Sequence, residues 1–167
     1  MTELQSIIRM KKILILFVII FSFVYLIAQS KKEVKKFKIK SVTVTETAGG
    51  KTINENKTVF AKSGETIEET DYTKDGSVKS FHKYKLNSEG EVIEETEYDG
   101  ANKLKEKKEV KYNSLGEKSE EIIYGSDLKI TKKHVFSYNN QGLKTEKKTY
   151  DAGNKLISSK KYIYSYQ

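Results

Sequence analysis

From Ser41 onward, short runs of β-type residues alternate with clusters of Gly, Asn, Asp and Ser. Within Val78–Leu86, Val78, His82, Tyr84 and Leu86 share one parity, and Lys79, Lys83 and Lys85 share the other. That period of two is the mark of a strand with one better-buried face. Written in rows of 26 residues, the chain aligns without insertion or deletion. Tyr72, Tyr98, Tyr124 and Tyr150 form one column, and Val78, Leu104, Ile130 and Leu156 another. Tyr84, Val110, Phe136 and Tyr162 form a third, and Leu86, Tyr112, Tyr138 and Tyr164 a fourth. Gly64, Gly90, Gly116 and Gly142 make a turn column.

Each row reads as two strands. Strand A runs over Thr66–Tyr72 and strand B over Val78–Leu86, with turns at Thr73–Ser77 and Asn87–Gly90. Turns this short force neighbouring strands to be antiparallel. The pattern predicts an all-β chain: a meander of about ten strands in a single extended, twisted sheet built from hairpin repeats. The rows fall near 41–66, 67–92, 93–118, 119–144 and 145–167. The first row keeps Phe60 and Gly64 but has Glu46 in the tyrosine column, as a terminal repeat that caps a stack does. Residues 31–40 are rich in Lys and read as a lead-in or an edge strand.

Charge adds a pairing rule. Strand A is mostly acidic and strand B mostly basic. If Tyr72 faces Val78 across the turn, then Glu68 faces His82. By the same rule Glu94 faces Lys108, Glu120 faces His134 and Glu146 faces Lys160. Each such pair is worth about 0.2–1 kcal/mol, and its larger effect is to oppose slipped alignments.

The first thirty residues differ. Arg9, Lys11 and Lys12 precede an apolar run over Ile13–Tyr25, and Ala28-Gln29-Ser30 follows with small residues at the −3 and −1 positions of a cut after Ser30. That is the plan of a signal-peptide helix over residues 1–30. It places the chain in the periplasm, at the cell surface or outside the cell, with membrane contact only during export or as a signal-anchor. Ile13–Ala28 is shorter than the ~20 residues a spanning helix needs.

Composition then excludes chemistry. The chain has no Cys, Pro or Trp and a net charge of +8. Disulfides, thiol catalysis and Cys-ligated zinc are ruled out. Arg9 is the only Arg, which argues against specific nucleic-acid recognition and leaves attraction to acidic polymers open. His82 and His134 are the only histidines and lie four strands apart, roughly 19 Å, too far to share a metal. Adjacent carboxylates such as Glu94 and Glu95 point to opposite faces of a strand. No Gly-x-Ser-x-Gly elbow is present. The reading assigns no catalytic, metal-binding or cofactor-binding residue. A membrane barrel is disfavoured, because charges occupy both parities over Lys105–Lys111.

The eleven tyrosines carry the remaining signal. Tyr72, Tyr98, Tyr124 and Tyr150, with Tyr162, Tyr164 and Tyr166 in the last strand, make a candidate Tyr/Lys surface for a protein or glycan partner. An open meander also has two unpaired edges. The Tyr-rich C-terminal edge strand is a candidate for self-association.

Tyr150-Asp151-Ala152-Gly153-Asn154-Lys155-Leu156 resembles a YD repeat of the Rhs type. Tyr98-Asp99-Gly100-Ala101-Asn102-Lys103-Leu104 is a looser match, and Tyr162-Ile163-Tyr164 fits the same style. The Gly-and-Tyr rhythm is also similar to MORN-type repeat variants. These resemblances imply extended β-sheet architecture in bacterial surface proteins and supply no catalytic residue. The rows at Tyr72 and Tyr124 lack the Tyr-Asp-x-x-Gly core, and the chain is short for an Rhs shell. The expectation is an exported, non-enzymatic binding module of the surface or periplasm. The alternatives are a structural or self-assembling spacer and an antitoxin- or immunity-like repeat protein.

Overall fold

A computed structural model describes residues 31–167; the expected signal segment at 1–30 lies outside them. One helix, α1 (Lys31–Phe37), precedes ten strands. These are β1 (Ser41–Ala48), β2 (Lys51–Phe60), β3 (Thr66–Tyr72), β4 (Val78–Leu86), β5 (Val92–Asp99), β6 (Leu104–Tyr112), β7 (Lys118–Tyr124), β8 (Ile130–Tyr138), β9 (Lys144–Asp151) and β10 (Leu156–Lys161). They form one antiparallel sheet in sequence order, β1 to β10. The last strand stops at Lys161, so Tyr162, Tyr164 and Tyr166 follow it rather than sit within it.

Every five-residue turn from Ala61 to Lys155 closes in the same way. The first residue's N–H bonds to the carbonyl four residues on, and its own carbonyl accepts from the N–H three residues on. The fourth residue is left-handed: Gly64, Gly76, Gly90, Asn102, Gly116, Leu128, Gly142 and Asn154. Gly, and less often Asn, adopts that conformation readily. Leu128 is the exception, at φ 60° and largely exposed. The first residue often caps the turn as well. Oδ1 of Asn87, Asp99, Asn113, Asn139 and Asp151 each accepts from the N–H two and four residues on. These side chains are self-contained turns.

Each of these turns is followed by a one-residue bulge, and the bulge corrects the expected pairs. Tyr72 does face Val78, but Asp71 then faces Ser80, leaving Lys79 as the extra residue. Glu68 therefore faces Lys83, and His82 faces Glu69. Likewise Glu94 faces Glu109 while Lys108 faces Glu95. Glu120 faces Val135 while His134 faces Glu121. Glu146 faces Lys161, and Lys160 faces Lys147. A slip of one residue moves a side chain to the other face of the sheet, so none of the four expected pairs forms as a directly opposed pair.

Within the Lys-rich lead-in, residues 31–37 are helical rather than an edge strand. Glu33 in the first turn and Lys35 and Lys36 in the last complement the helix dipole. Lys38 takes a left-handed conformation, and Ile39 N–H returns to the Val34 carbonyl at 3.0 Å, closing the helix C-terminus. The first hairpin also departs from the repeat. Gly49 and Gly50, both with positive φ, make a two-residue turn between Ala48 and Lys51.

Substantial packing is confined to neighbouring strands, so the sheet has no second layer over most of its length. Among the described residues only Val34, Thr58, Gly64, Thr70 and Val110 are buried. Long side chains lying across one another on each face, and cross-strand pairs, take the place of a core.

Candidate functional site

The register sorts the side chains into two faces. One carries Glu69, His82, Glu95, Lys108, Glu121, His134, Lys147 and Lys160, which we term the histidine face. The other carries Phe81, Tyr98, Lys107, Tyr124, Lys133 and Tyr150, the tyrosine face.

The tyrosine face repeats a single motif. Phe81, Lys107 and Lys133 lie directly opposite Tyr98, Tyr124 and Tyr150. Phe81 stacks on Tyr98 with centroids 4.8 Å apart. Lys107 Nζ lies 5.9 Å from the Tyr124 ring and Lys133 Nζ 5.1 Å from the Tyr150 ring. Lys83 Nζ approaches both Phe81 and Tyr98, at 5.5 and 5.8 Å. These are cation–π distances. Lys133 donates to Asn154 Oδ1 at 2.6 Å, and Lys107 is held by acids. Lys107 pairs with Glu94 and Glu109, both at 3.0 Å, and these acids raise its pKa. Tyr124 donates to Glu109 at 2.9 Å. Lys107, and then Tyr124, hold the Glu109 carboxyl below its ordinary range.

The histidine face is an acid–base ladder. His82 Nδ1 and Lys108 Nζ each lie 3.3 Å from Glu95, and Lys108 also meets Glu106 at 3.3 Å. His134 Nε2 lies 3.9 Å from Glu121. Its pKa is lowered, by burial first and then by Lys147. Burial pushes Glu121 up, but the Lys118 ammonium at 2.9 Å outweighs it and keeps the carboxyl low. The ladder breaks in the last row, where Lys147 faces Lys160. Lys147 turns its ammonium toward the Phe136 ring at 5.6 Å, and Lys144 lies 4.7 Å from the same ring.

The seven tyrosines proposed from sequence do not form one surface. Tyr72, Tyr98, Tyr124 and Tyr150 stand on the tyrosine face, half-buried, two strands apart. Tyr162 and Tyr164 belong to the columns of the opposite face. There Tyr112, Tyr138 and Tyr164 donate in turn to the carbonyls of Val92, Lys118 and Lys144 at 2.8–3.0 Å. Tyr166 reaches Gln141 and is mostly exposed. The hydroxyl of Tyr164 is therefore a structural tie.

Two columns escaped the sequence reading. Phe81, Lys107 and Lys133 each precede their tyrosine by 17 residues, a spacing the 26-residue rows already contained. Glu65, Glu91 and Glu117 lay their carboxylates against Gly90, Gly116 and Gly142. Asn87 and Asn113 hold Glu91 and Glu117 at 2.8 and 2.7 Å.

A concavity of about 380 Å³ lies where α1 meets β2–β4, lined by Lys31, Thr58, Phe60, Glu65, Glu69 and Tyr84. Lys31 pairs with Glu65, and Lys31 and Ser63 hold that carboxyl at about 2. Tyr84 donates to Glu69 at 3.0 Å; burial and then Glu69 raise its pKa. Tyr112, Tyr124 and Tyr138 are raised as well, each chiefly by burial. Among the described residues no group of three His, Asp or Glu side chains is placed to hold a metal ion, and no helix is long and apolar enough to cross a membrane.

No protein-family model matches the sequence, and no curated protein matches it. Solved structures give partial likenesses in shape. TarM aligns with 75% of this chain at 16% identity and a TM-score of 0.32, and the chain spans 22% of its length. A Bacteroides fragilis protein of unknown function aligns with 76% of this chain and 96% of its own, at 11% identity and a TM-score of 0.42. A porin-like protein from Bacteroides uniformis aligns with 68% of this chain and 49% of its own, at 17% identity and a TM-score of 0.36.

Proposed function

We propose that the chain is an exported, non-enzymatic binding module of the bacterial surface or periplasm, and that its tyrosine face takes an extended acidic glycan. The observation that carries this reading is a tyrosine column on an open sheet face with a lysine ammonium beside three of its rings, Lys83 at Tyr98, Lys107 at Tyr124 and Lys133 at Tyr150. Phe81–Tyr98, Lys107–Tyr124 and Lys133–Tyr150 recur at the same level every two strands, about 9.6 Å apart. A flat ring offers a stacking surface, and a lysine beside it offers a cation at regular intervals. A linear ligand meets the same chemistry at each step, which favours a polymer over a compact molecule. Residues 31–167 carry 28 Lys and 22 Asp or Glu, a net +6, and this excess with the signal-peptide pattern at residues 1–30 agrees with an acidic ligand met outside the cytoplasm.

Titration calorimetry with polygalacturonate as the acidic probe and dextran as the neutral one tests this. Binding to polygalacturonate alone is expected, weakening as salt rises. Replacing both Lys107 and Lys133 by Ala weakens it about tenfold, the loss of two partly exposed cationic contacts. Equal binding to both polymers, or to neither, removes the reading.

A further inference from the structure

We infer that the outer edge of β10 accepts β1 of a second copy of this chain, continuing the sheet head to tail. This does not depend on the glycan reading, because it uses the edges and not the tyrosine face. Within the described chain β1 and β10 each pair on one side only. β10 is a B strand and β1 is an A strand, so their union repeats the B-to-A step already made at β2–β3, β4–β5, β6–β7 and β8–β9.

The register follows from the interior steps. His82 faces Glu69 on the strand before it and Glu97 on the strand after. Lys160 occupies the His82 column. On β1, Val44 faces Asn56 of β2, as Glu69 faces His82; the irregularity that follows leaves Glu55 of β2 as the extra residue and adds none to β1, so Val44 stands at the Glu69 level and Glu46, two residues on, at the next level on that face. The same step then places Lys160 opposite Glu46, Tyr162 opposite Val44, and Ile163 opposite Thr43. Tyr162 N–H already continues the ladder to Thr145 at 3.0 Å, and the Tyr164 hydroxyl ties the segment to Lys144. The residues beyond Lys161 are thus held in line with β10.

Three departures from the repeat coincide at this join. Lys160 has Lys147 opposite it where the earlier rows supply Glu69, Glu95 and Glu121. The incoming Glu46 supplies the acid that β9 lacks. The Tyr84, Val110 and Phe136 positions face charged Glu95, Glu121 and Lys147, but Tyr162 meets Val44; both are exposed, at 39% and 37%. Lys85 and Lys111 face Glu94 and Glu120 inside the sheet, whereas the equivalent join pair is Ile163 and Thr43. Ile163 is 92% exposed in the single chain, in a column that is otherwise Lys, Lys and Ser. Neither edge carries proline, and β1 has no lysine to repel a neighbour. The join is heterologous, so it generates chains or rings of copies. Each copy adds ten strands, about 48 Å.

Sedimentation velocity on the protein produced from the full-length coding sequence, in the processed form recovered from the cell, provides the test. The expected result is a weight-average mass that rises with concentration. Glu46→Lys or Lys160→Glu, both at exposed positions, raises the dissociation constant about tenfold by placing like charges together. The double variant, or a mixture of the two single variants, restores association. A monomer at every concentration overturns the proposal. So does association that either charge reversal leaves unchanged, which would assign the contact to another surface.

Discussion

Val110→Asp is expected to lower the unfolding free energy by about 3 kcal/mol or more, the largest loss from any single strand substitution. Val110 is 8% exposed, one of two buried apolar side chains among the described residues and the only one in a strand. It faces Glu121 directly across β6 and β7, on the face where burial already works against that carboxyl. Aspartate there loses the apolar burial of the valine, about 1.5 kcal/mol or more, and sets a second carboxylate beside the first. Lys118 is paired with Glu121, and Lys108, two residues back on the same face, with Glu95 and Glu106, so both cations are already engaged. Val110→Ala, which removes burial without adding charge, costs roughly half as much. Urea unfolding followed by circular dichroism reads both values. Equal losses for the two variants would show that the electrostatics of the histidine face contribute nothing at this position.

Gly64→Ala should cost about 3 kcal/mol, against about 1 kcal/mol for Gly76→Ala. Both glycines are left-handed, at φ +95° and +90°, so both variants bear backbone strain. They differ in surroundings. A Cβ at Gly76 meets nothing within 4 Å, while one at Gly64 sits 2.7 Å from the Lys31 carbonyl oxygen. Backbone cannot swing away as a side-chain tip does, so α1 must move, and the burial of Val34 is lost with it. The comparison isolates the docking of α1 from turn strain. Losses of the same size would mean that α1 does not rest on this turn.

Much of this architecture is written in the sequence. The limits of strands A and B, Thr66–Tyr72 and Val78–Leu86, follow from period-two alternation between turn residues, and the structure reproduces them. The number and order of strands follow from repeat length and short turns. Register was less legible. Tyr72 meets Val78 as the columns suggest, yet the extra residue Lys79 moves every later pair by one. A bulge is set by backbone geometry and leaves no distinct residue in the column. The charge alternation survives it only because strand A carries its acids in adjacent pairs, such as Glu68-Glu69 and Glu94-Glu95. Either parity then offers a carboxylate, and the structure selects Glu69, Glu95 and Glu121.

The candidate surface was legible in part for the same reason. The tyrosine column was plain, but the face on which Tyr162 and Tyr164 lie depends on the bulges. The helix at Lys31–Phe37 was hidden by its lysine content, which suits a solvated lead-in as well as a helix. Its turn-capping geometry at Lys38 uses a residue that rarely adopts positive φ.

A one-residue bulge after each five-residue turn sets the register that puts Glu69, Glu95 and Glu121 opposite His82, Lys108 and His134 on one face, and Lys107 and Lys133 opposite Tyr124 and Tyr150 on the other. Because the chain has no native cysteine, engineered pairs report this register without interference. Cysteines replacing Glu95 and Lys108 occupy directly opposed positions, within the Cα separation a disulfide needs. Cysteines replacing Glu94 and Lys108 project from opposite faces. Oxidation of the folded protein followed by mass spectrometry should therefore find the disulfide in the 95/108 variant and free thiols in the 94/108 variant. A disulfide in the 94/108 variant with none in the 95/108 variant would contradict the bulged register and the division of faces built on it.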